Sequence, residues 1–449
     1  MDLNSLNSIY FLGIGGIGMS ALARYFKWQG KKVSGYDKVR SPLCMELEQE
    51  GMEIHYSDRP EDVPAGIDLV VYTPAVPKSN AVFVFLQSSG IRMLKRAEML
   101  GVISATVPAI AIAGTHGKTT ITSMIAHIFK VAGIEISAFM GGISVNYNTN
   151  FLGSENPRWV IVEADEYDRS FLHLKPHIAI ISSMDADHLD IYGTTREMEE
   201  SFSLFAKQVH PDGALITHQS LGKLKEIHPA QKDYGLSLPA CFGLESVELT
   251  HGRYHAVLEA SGEKIPFSFG IPGRHNLENA IAAFAASLLA GVPPEIVASA
   301  LASYKGVKRR FEIHLQTPHK VYVDDYAHHP REIEACIRSA REFFPGRTLT
   351  GIFQPHLFSR TRDLAEGFAQ ALDTLDEVIL LDIYPARELP IEGVDANLIL
   401  KKMKNPRKQY VADHDLLSFL AQRPVDVVIT MGAGDIDRFV LPLKELLQV

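Results

Sequence analysis

Two glycine-rich stretches hold the residues best suited to chemistry. Gly13-Ile14-Gly15-Gly16-Ile17-Gly18 fits G-x-G-x-x-G, a spacing whose glycines let backbone N–H groups approach a pyrophosphate at the positive end of a helix. Asp37 follows at about the distance where an acid holds a ribose hydroxyl. Those features suit NAD or another nucleotide diphosphate, and a tight structural turn would use the same glycines. The second stretch is Gly114-Thr115-His116-Gly117-Lys118-Thr119-Thr120. Its amides can cradle phosphates, Lys118 can neutralise the β and γ oxygens, and the Thr119 hydroxyl can ligate Mg2+. It departs from G-x-x-x-x-G-K-[ST] at Ile112, where the first glycine belongs. Lys118 is expected to face solvent.

Hard oxygen ligands for a triphosphate-bound metal follow at Glu163, Asp165, Glu166 and Asp168. Only some of the four can serve, and the others are expected as solvated or hydrogen-bonded loop acids. After the next apolar run comes Asp185-Ala186-Asp187-His188. A lone histidine is more often structural, but one beside acids at a strand edge is a candidate for metal binding or proton transfer.

Alternating strands and helices must position these groups. Ile9–Leu12, a helix from Met19 to Trp28, Lys32–Tyr36 and Leu69–Thr73 read as a βαβ series, hence a parallel sheet. Ala109–Ala113, a helix from Thr119 to Val131, Trp159–Glu163 and His177–Ser182 form a second series. Between about Val247 and Phe269 the pattern predicts an antiparallel hairpin inserted at the edge. Val321–Asp324, Thr348–Phe353, Glu377–Leu381 and Asp426–Thr430 make a third series, after a hinge at Leu301–Lys308. The reading is an α/β protein of three domains, each with a core of its own. They are an N-terminal Rossmann-like domain (1–107), a central P-loop ATPase-like parallel sheet with the hairpin (108–306), and a C-terminal Rossmann-like domain (307–449).

The bulk numbers narrow the function. The 449 residues carry 44 Lys plus Arg against 53 Asp plus Glu, a net charge of −9. That balance argues against nucleic-acid binding, which needs a basic surface to displace counterions. Cys44, Cys241 and Cys336 have no metal-like spacing and make no secreted disulfide framework. Met1–Tyr10 lacks the pattern of a signal peptide. The longest apolar runs, near Pro108–Ala113 and Ala280–Val292, fall short of the ~18 residues of a membrane span. A cytoplasmic protein without membrane insertion is expected.

Further motifs resemble, in order and nearly end to end, the Mur ligases of peptidoglycan synthesis. They are Gly114–Thr120 with the family's shortened loop, Glu163-Ala164-Asp165-Glu166, Asp187-His188, Gly273-Arg274-His275-Asn276 with Asn279, Arg309-Arg310-Phe311, and Asp324-Asp325-Tyr326-Ala327-His328-His329-Pro330. The resemblance implies an ATP- and Mg2+-dependent ligase acting on a UDP-sugar carboxylate, so the first loop (Gly13, Gly15, Gly16, Ile17, Gly18, with Asp37) would bind UDP-sugar. It implies that Gly114–Thr120, Asn276, Asn279 and Arg310 bind ATP, and that Thr119, Glu163 and His188 hold metal. Lys118, Glu163, His188, Asp325 and His328 would be catalytic, with Arg310, Asp325 and His328 completing the site on closure. Gly13–Gly18, Phe171-Leu172-His173-Leu174 and Phe353-Gln354-Pro355-His356 leading to Arg360-Thr361-Arg362-Asp363 favour UDP-N-acetylmuramate and L-alanine as substrates, with His356 and Arg360 receiving the amino acid. Leu357 stands where some relatives carry an arginine, which leaves Arg360 as the cation for the alanine carboxylate. The plain alternative pairs Arg360 with Asp363. Rival readings are a ligase attaching a recycled tripeptide to the same UDP-sugar, an NAD-dependent oxidoreductase, and an ATP-driven regulator.

Overall fold

The computed structural model describes residues 1–185, 192, 194–224, 227–386 and 388–448. Short apolar runs form the first sheet: β1 (Ser8–Leu12), β2 (Lys32–Tyr36), β3 (Glu53–His55), β4 (Leu69–Tyr72) and β5 (Met93–Lys95), in the order β3-β2-β1-β4-β5. All pairings are parallel. The order reverses at β1, which opens a crevice at the carboxyl ends of β1 and β4, the place where such sheets bind ligands. Gly13 turns the chain there at φ +84, and helix α1 (Ile17–Trp28) begins after Gly16. α2 (Pro42–Gln49) and α3 (Ala81–Ser88) are capped by the side chains of Ser41 and Asn80, whereas α1 has no side-chain cap. Its first amides thus point into the crevice, where an anion could meet them.

The central sheet has ten strands, in the order β15-β14-β13-β12-β11-β10-β6-β9-β7-β8. They are β6 (Ala109–Ala113), β7 (Ile136–Ser144), β8 (Thr149–Leu152), β9 (Trp159–Glu163), β10 (Ile178–Ile181), β11 (Ala214–His218), β12 (Gln231–Gly235), β13 (Phe242–Thr250), β14 (Arg253–Ala260) and β15 (Glu263–Phe269). β6 pairs in parallel with β9 and β10, while β7 and β8 are antiparallel. The expected hairpin is present at the edge and begins earlier, at Phe242. Its turns, His251-Gly252 and Ser261-Gly262, have positive φ at both central residues, the geometry that matches the twist of the flanking strands.

The third sheet comprises β16 (Glu312–Gln316), β17 (Val321–Asp325), β18 (Leu349–Phe353), β19 (Glu377–Leu380), β20 (Lys408–Tyr410) and β21 (Val427–Met431). Its order is β16-β17-β21-β18-β19-β20, parallel except for β16. No helix among the described residues is long and apolar enough to cross a membrane.

The three sheets fold as two compact units, 1–248 with 255–269 and 278–305, and 249–254 with 270–277 and 306–449. The first sheet has a core of its own around Tyr10, Tyr36, Val70 and Val82, as expected, and on its other side it shares a second core with the central sheet. One buried cluster runs from Leu6 to Leu224 and draws on both. The joint is aromatic. Tyr25 of α1 packs 5.4 Å from Phe139 and 5.9 Å from Phe151, centroid to centroid. Beside it Arg24, buried, bonds Glu50 and Glu46 on one side and Asn150 Oδ1 on the other. Asn150, fully buried on β8, donates to the Ile17 carbonyl (2.6 Å) and Ser20 Oγ (2.9 Å) in the first turn of α1. The second unit has its own core around Tyr322, Ile352, Ile379 and Val428.

Asn150→Ala leaves an Arg24 N–H without its acceptor inside this joint and takes one donor each from the Ser20 hydroxyl and the Ile17 carbonyl, which keeps the Ser20 hydroxyl. Each such loss costs about 1–3 kcal/mol, so a lower denaturation midpoint of the first unit is expected in urea, with an unchanged m-value. An unshifted midpoint would show that the aromatic contacts alone hold the two sheets.

Candidate active site

Parallel pairing sets the carboxyl ends of β6, β9 and β10 side by side, with Ile112 opposite Glu163 and Ala113 opposite Ile181. The Gly114–Thr120 loop leaves β6 at this edge and enters α5 (Lys118–Val131), which, like α1, has no side-chain cap. Gly114 sits at φ +136 and Gly117 at φ +84. A side chain at Gly114 would run into Ser182 Oγ, and one at Gly117 would come within 2.5 Å of Asn279 Oδ1. Asn279 thus borders the loop, on the helix Arg274–Leu289 that also carries Asn276, whose Nδ2 donates to the Pro272 carbonyl at 2.7 Å. Ser183 Oγ accepts from the His116 amide at 2.9 Å and lies 2.9 Å from Thr115 Oγ1. His116 Nε2 is 3.3 Å from Asp185. Thr119 and Thr120 lie in the first turn of α5.

Lys118 does not face solvent. Its Nζ donates to the Gly114 carbonyl (2.7 Å) and to both oxygens of Glu166 (2.9 and 2.7 Å). The pair is largely enclosed, with side-chain exposures of 17% and 2%. A lysine has three N–H donors, so all three are engaged, and a phosphate must displace at least one partner. Glu166 accordingly stands apart from the solvated loop acids expected of this run. Its carbonyl is held in turn by the Tyr192 hydroxyl at 2.5 Å. Asp165 and Asp168 are paired with Arg96 and Lys95, each at 3.0 Å.

Glu163 closes β9 and faces the loop. Its Oε1 accepts from the Gly141 amide at 2.5 Å, and Thr119 Oγ1 donates to Oε2 at 3.2 Å. Burial raises its pKa, against the pull of the Gly141 amide and the Lys118 charge. Gly141 was not singled out from sequence. A side chain there would meet the Glu163 carboxylate at about the same 2.5 Å, and the signal was a Gly-Gly pair inside an apolar strand. Among the described residues no three His, Cys, Asp or Glu converge as a metal cluster. The Thr119 hydroxyl and the Glu163 carboxylate are the two hard oxygen donors, a set that fits Mg2+, which takes few protein ligands beside substrate phosphates. Asp187 and His188 lie outside the described residues.

In the first loop the Gly13 and Ile14 amides donate to the Tyr36 carbonyl at 2.8 and 3.1 Å. Asp37 accepts from the Gly15 amide at 2.8 Å and the Val39 amide at 3.3 Å, so it shapes the loop directly. Gly16, Ile17 and Gly18 lead into α1.

The second unit gathers another set at the carboxyl ends of β17, β21 and β18, which are adjacent. Asp325 accepts from the amides of Phe311 (2.7 Å) and Ala327 (2.8 Å), yet burial pushes its pKa up to about 6. Arg309 pairs with buried Asp324 at 3.0 Å, and both Arg309 and Arg310 lie over the Tyr326 ring. His328 Nδ1 is 2.9 Å from the Tyr326 carbonyl, and burial lowers its pKa. His356 stacks on Tyr384, with centroids 5.7 Å apart, and lies 6.3 Å from His328. Burial, with Arg360 and His328 beside it, lowers the His356 pKa to about 4. Arg360 Nη1 is 3.3 Å from His356 Nδ1, whereas Asp363 is taken by Arg362 at 2.7 Å. The plain pairing of Arg360 with Asp363 is therefore not what forms.

A phosphate loop backed by a carboxylate and a hydroxyl at the parallel edge of a mixed sheet, in a chain with two further α/β sheets, defines a nucleotide-dependent group-transfer protein. The family follows from comparison. Residues 8–107 match the Mur ligase family catalytic domain, 112–287 the Mur ligase middle domain, and 309–434 the Mur ligase glutamate ligase domain. The chain belongs to the Mur ligase family. It is 45% identical to a UDP-N-acetylmuramate–L-alanine ligase of Flavobacterium johnsoniae, over 100% of this chain and 99% of that one. The solved UDP-N-acetylmuramate–alanine ligase of Thermotoga maritima superposes with a TM-score of 0.84 at 27% identity, covering 98% and 99% of the two chains. A murein peptide ligase from Psychrobacter arcticus shares the fold, with a TM-score of 0.68 at 23% identity over 98% of each chain.

The enclosure of Lys118 changes what its removal does. Breaking a buried ion pair from one side costs about 3–5 kcal/mol, so Lys118→Ala should lose stability as well as turnover. Its kcat should fall by at least ~100-fold. Adding Glu166→Gln should restore most of the stability and none of the turnover, as read by melting temperature and ADP release. Recovered turnover in the double variant would remove Lys118 from the chemistry.

Proposed function

We propose that the chain is an ATP-dependent carboxylate–amine ligase. It joins the carboxylate of UDP-N-acetylmuramate to the amine of L-alanine through an acyl phosphate, and releases ADP and phosphate in peptidoglycan precursor synthesis. The observation that carries this reading is the edge where Lys118, Thr119 and Glu163 meet in a chain alike end to end to a relative of that name. A carboxylate resists attack because its charge repels nucleophiles and oxide leaves poorly. Transfer of the γ-phosphoryl group provides phosphate as the leaving group. Lys118 and the amides of the Gly114–Thr120 loop offset the negative charge at that transfer. Mg2+, held by Thr119 and Glu163, would neutralise further phosphate charge.

The neutral amine of alanine then attacks, and a base must take its proton. His328 is suited to this. Burial keeps it neutral near pH 7, and a hydrogen bond from Nδ1–H to the Tyr326 carbonyl would leave Nε2 as the acceptor. His188 is the other candidate. Asn276, Asn279 and Arg310 are assigned to ATP, Asp325 to the catalytic set, and the Gly13–Gly18 loop with Asp37 to the UDP-sugar. His356 and Arg360 are assigned to alanine. The reaction is placed in the cytoplasm, in keeping with three free cysteines.

The direct test is product analysis with UDP-N-acetylmuramate, ATP, Mg2+ and L-alanine. ADP and phosphate should appear only when alanine is present, and the recycled tripeptide should not replace it. AMP with pyrophosphate would exclude the acyl phosphate route. Turnover with tripeptide alone would move the chain to the recycling reaction.

A charge-assisted hydrogen bond to a substrate carboxylate contributes about 1.5–3 kcal/mol. Arg360→Ala should therefore raise the KM for L-alanine about 10- to 150-fold, with the KM for ATP and for UDP-sugar nearly unchanged. A parallel rise in all three would mean that Arg360 holds the fold and alanine binds elsewhere.

A further inference from the structure

We propose that Arg96 binds the anionic part of the sugar nucleotide and holds it between the first glycine loop and the acids of the phosphate-loop site, an inference that rests on the function proposed above. Arg96 is the first residue of helix α4 (Arg96–Ser104), just after β5. Its guanidinium lies against the last glycine of the first loop. A Cβ built on Gly18 would fall 2.8 Å from Arg96 Nη1 and 3.2 Å from its Cδ. Its other side meets the segment that follows Glu163, where Nη2 donates to Asp165 Oδ2 at 3.0 Å. One side chain thus touches both the loop assigned to the sugar nucleotide and the acidic segment that carries Glu163 and Glu166.

Charge and geometry give this arginine work that Asp165 does not exhaust. A guanidinium has five N–H donors in a rigid plane, and among the described residues Arg96 makes a hydrogen bond to Asp165 alone. Its side chain is 24% exposed, so it is held in place and still reachable. Asp165 restrains one N–H, which leaves Nη1, the nitrogen nearest Gly18, aimed at the first loop. The neighbouring Lys95 has a different standing. It pairs with Asp168 across a surface where both side chains are more than 40% exposed, and such pairs contribute little. A sugar nucleotide with its diphosphate on the amides of α1 brings two anionic groups past this point, the diphosphate and the sugar carboxylate. Either can take the remaining donors in a bidentate, charge-assisted contact.

The experiment measures affinity for UDP-N-acetylmuramate by calorimetry on the full chain, in wild type, Arg96→Ala and Arg96→Lys, beside the melting temperature and the KM values for ATP and alanine. Arg96→Ala should weaken UDP-N-acetylmuramate about 10- to 100-fold. Arg96→Lys should recover part of the loss, because it restores charge without the fork. Melting temperature and the other two KM values should move little. UDP-N-acetylglucosamine, which lacks the carboxylate, separates the two contacts. A similar loss with both nucleotides assigns Arg96 to the diphosphate, and a loss confined to UDP-N-acetylmuramate assigns it to the carboxylate. Unchanged affinity in both variants would overturn the proposal, as would a joint weakening of all three substrates with a lowered melting temperature. Wild-type turnover in the same preparation tests the ligase reading separately. A wild type that binds the sugar nucleotide and forms no amide would refute that reading while leaving the Arg96 comparison interpretable.

Discussion

The charge of Lys118 must be kept beside the Gly114–Thr120 loop in a largely enclosed place, and much of the first unit follows from that constraint. An ammonium this enclosed needs partners, and it finds them in the Gly114 carbonyl and both oxygens of Glu166. Glu166 in turn needs a fixed backbone, which the Tyr192 hydroxyl helps supply. The chain beyond it passes through Asp168 and Arg169 in left-handed conformations at φ 53, which cost about 1–3 kcal/mol each for non-glycine residues. Such strain persists where surrounding contacts over-determine it, and here Asp165 and Asp168 are tied to Arg96 and Lys95.

The same economy of paired charges explains why the first two sheets do not separate. Arg24 and Asn150 join the opening turn of α1 to β8, and β8 pairs with β7, whose Gly141 amide holds Glu163. A run of side-chain hydrogen bonds and strand pairing, with a register shift between Phe139 and Ser144, therefore connects the start of α1 with the carboxylate beside the phosphate loop. The aromatic cluster of Tyr25, Phe139 and Phe151 shields that run from water, which strengthens each polar contact within it.

In the second unit the governing feature is the exit from β18. Leu357 adopts φ 73 and ψ 135 before the helix Phe358–Leu372 begins, a conformation unfavourable for any residue with a Cβ. The Tyr384 carbonyl takes its amide at 2.9 Å, and Thr361 Oγ1 donates to its carbonyl at 2.8 Å. This bend sets His356 flat on Tyr384 and brings Arg360, one turn into the helix, within 3.3 Å of the imidazole. An arginine beside a nitrogen lone pair, with burial added, keeps His356 unprotonated.

Sequence by itself determined the parts whose causes are local. β6 and β9 run as predicted because buried parallel strands are continuous apolar runs, and both glycine loops follow strands and open helices as their spacing requires. Motif order alone also identified the family, because six short matches in register leave little room for chance. The tertiary structure decided what depends on distant partners. Lys118 is enclosed because Glu166, 48 positions away, folds back over it. Asn150 bonds the first turn of α1 to β8, 133 positions on, and Asp363 turns to Arg362, which leaves Arg360 to His356. The Lys118 and Asn150 pairings have no period or spacing, and the short-range choice of Arg360 between His356 and Asp363 is not fixed by spacing either. The Lys118 and Arg24–Asn150 contacts are chosen by burial, which makes an unpaired charge costly and so selects a partner from whatever the fold brings near.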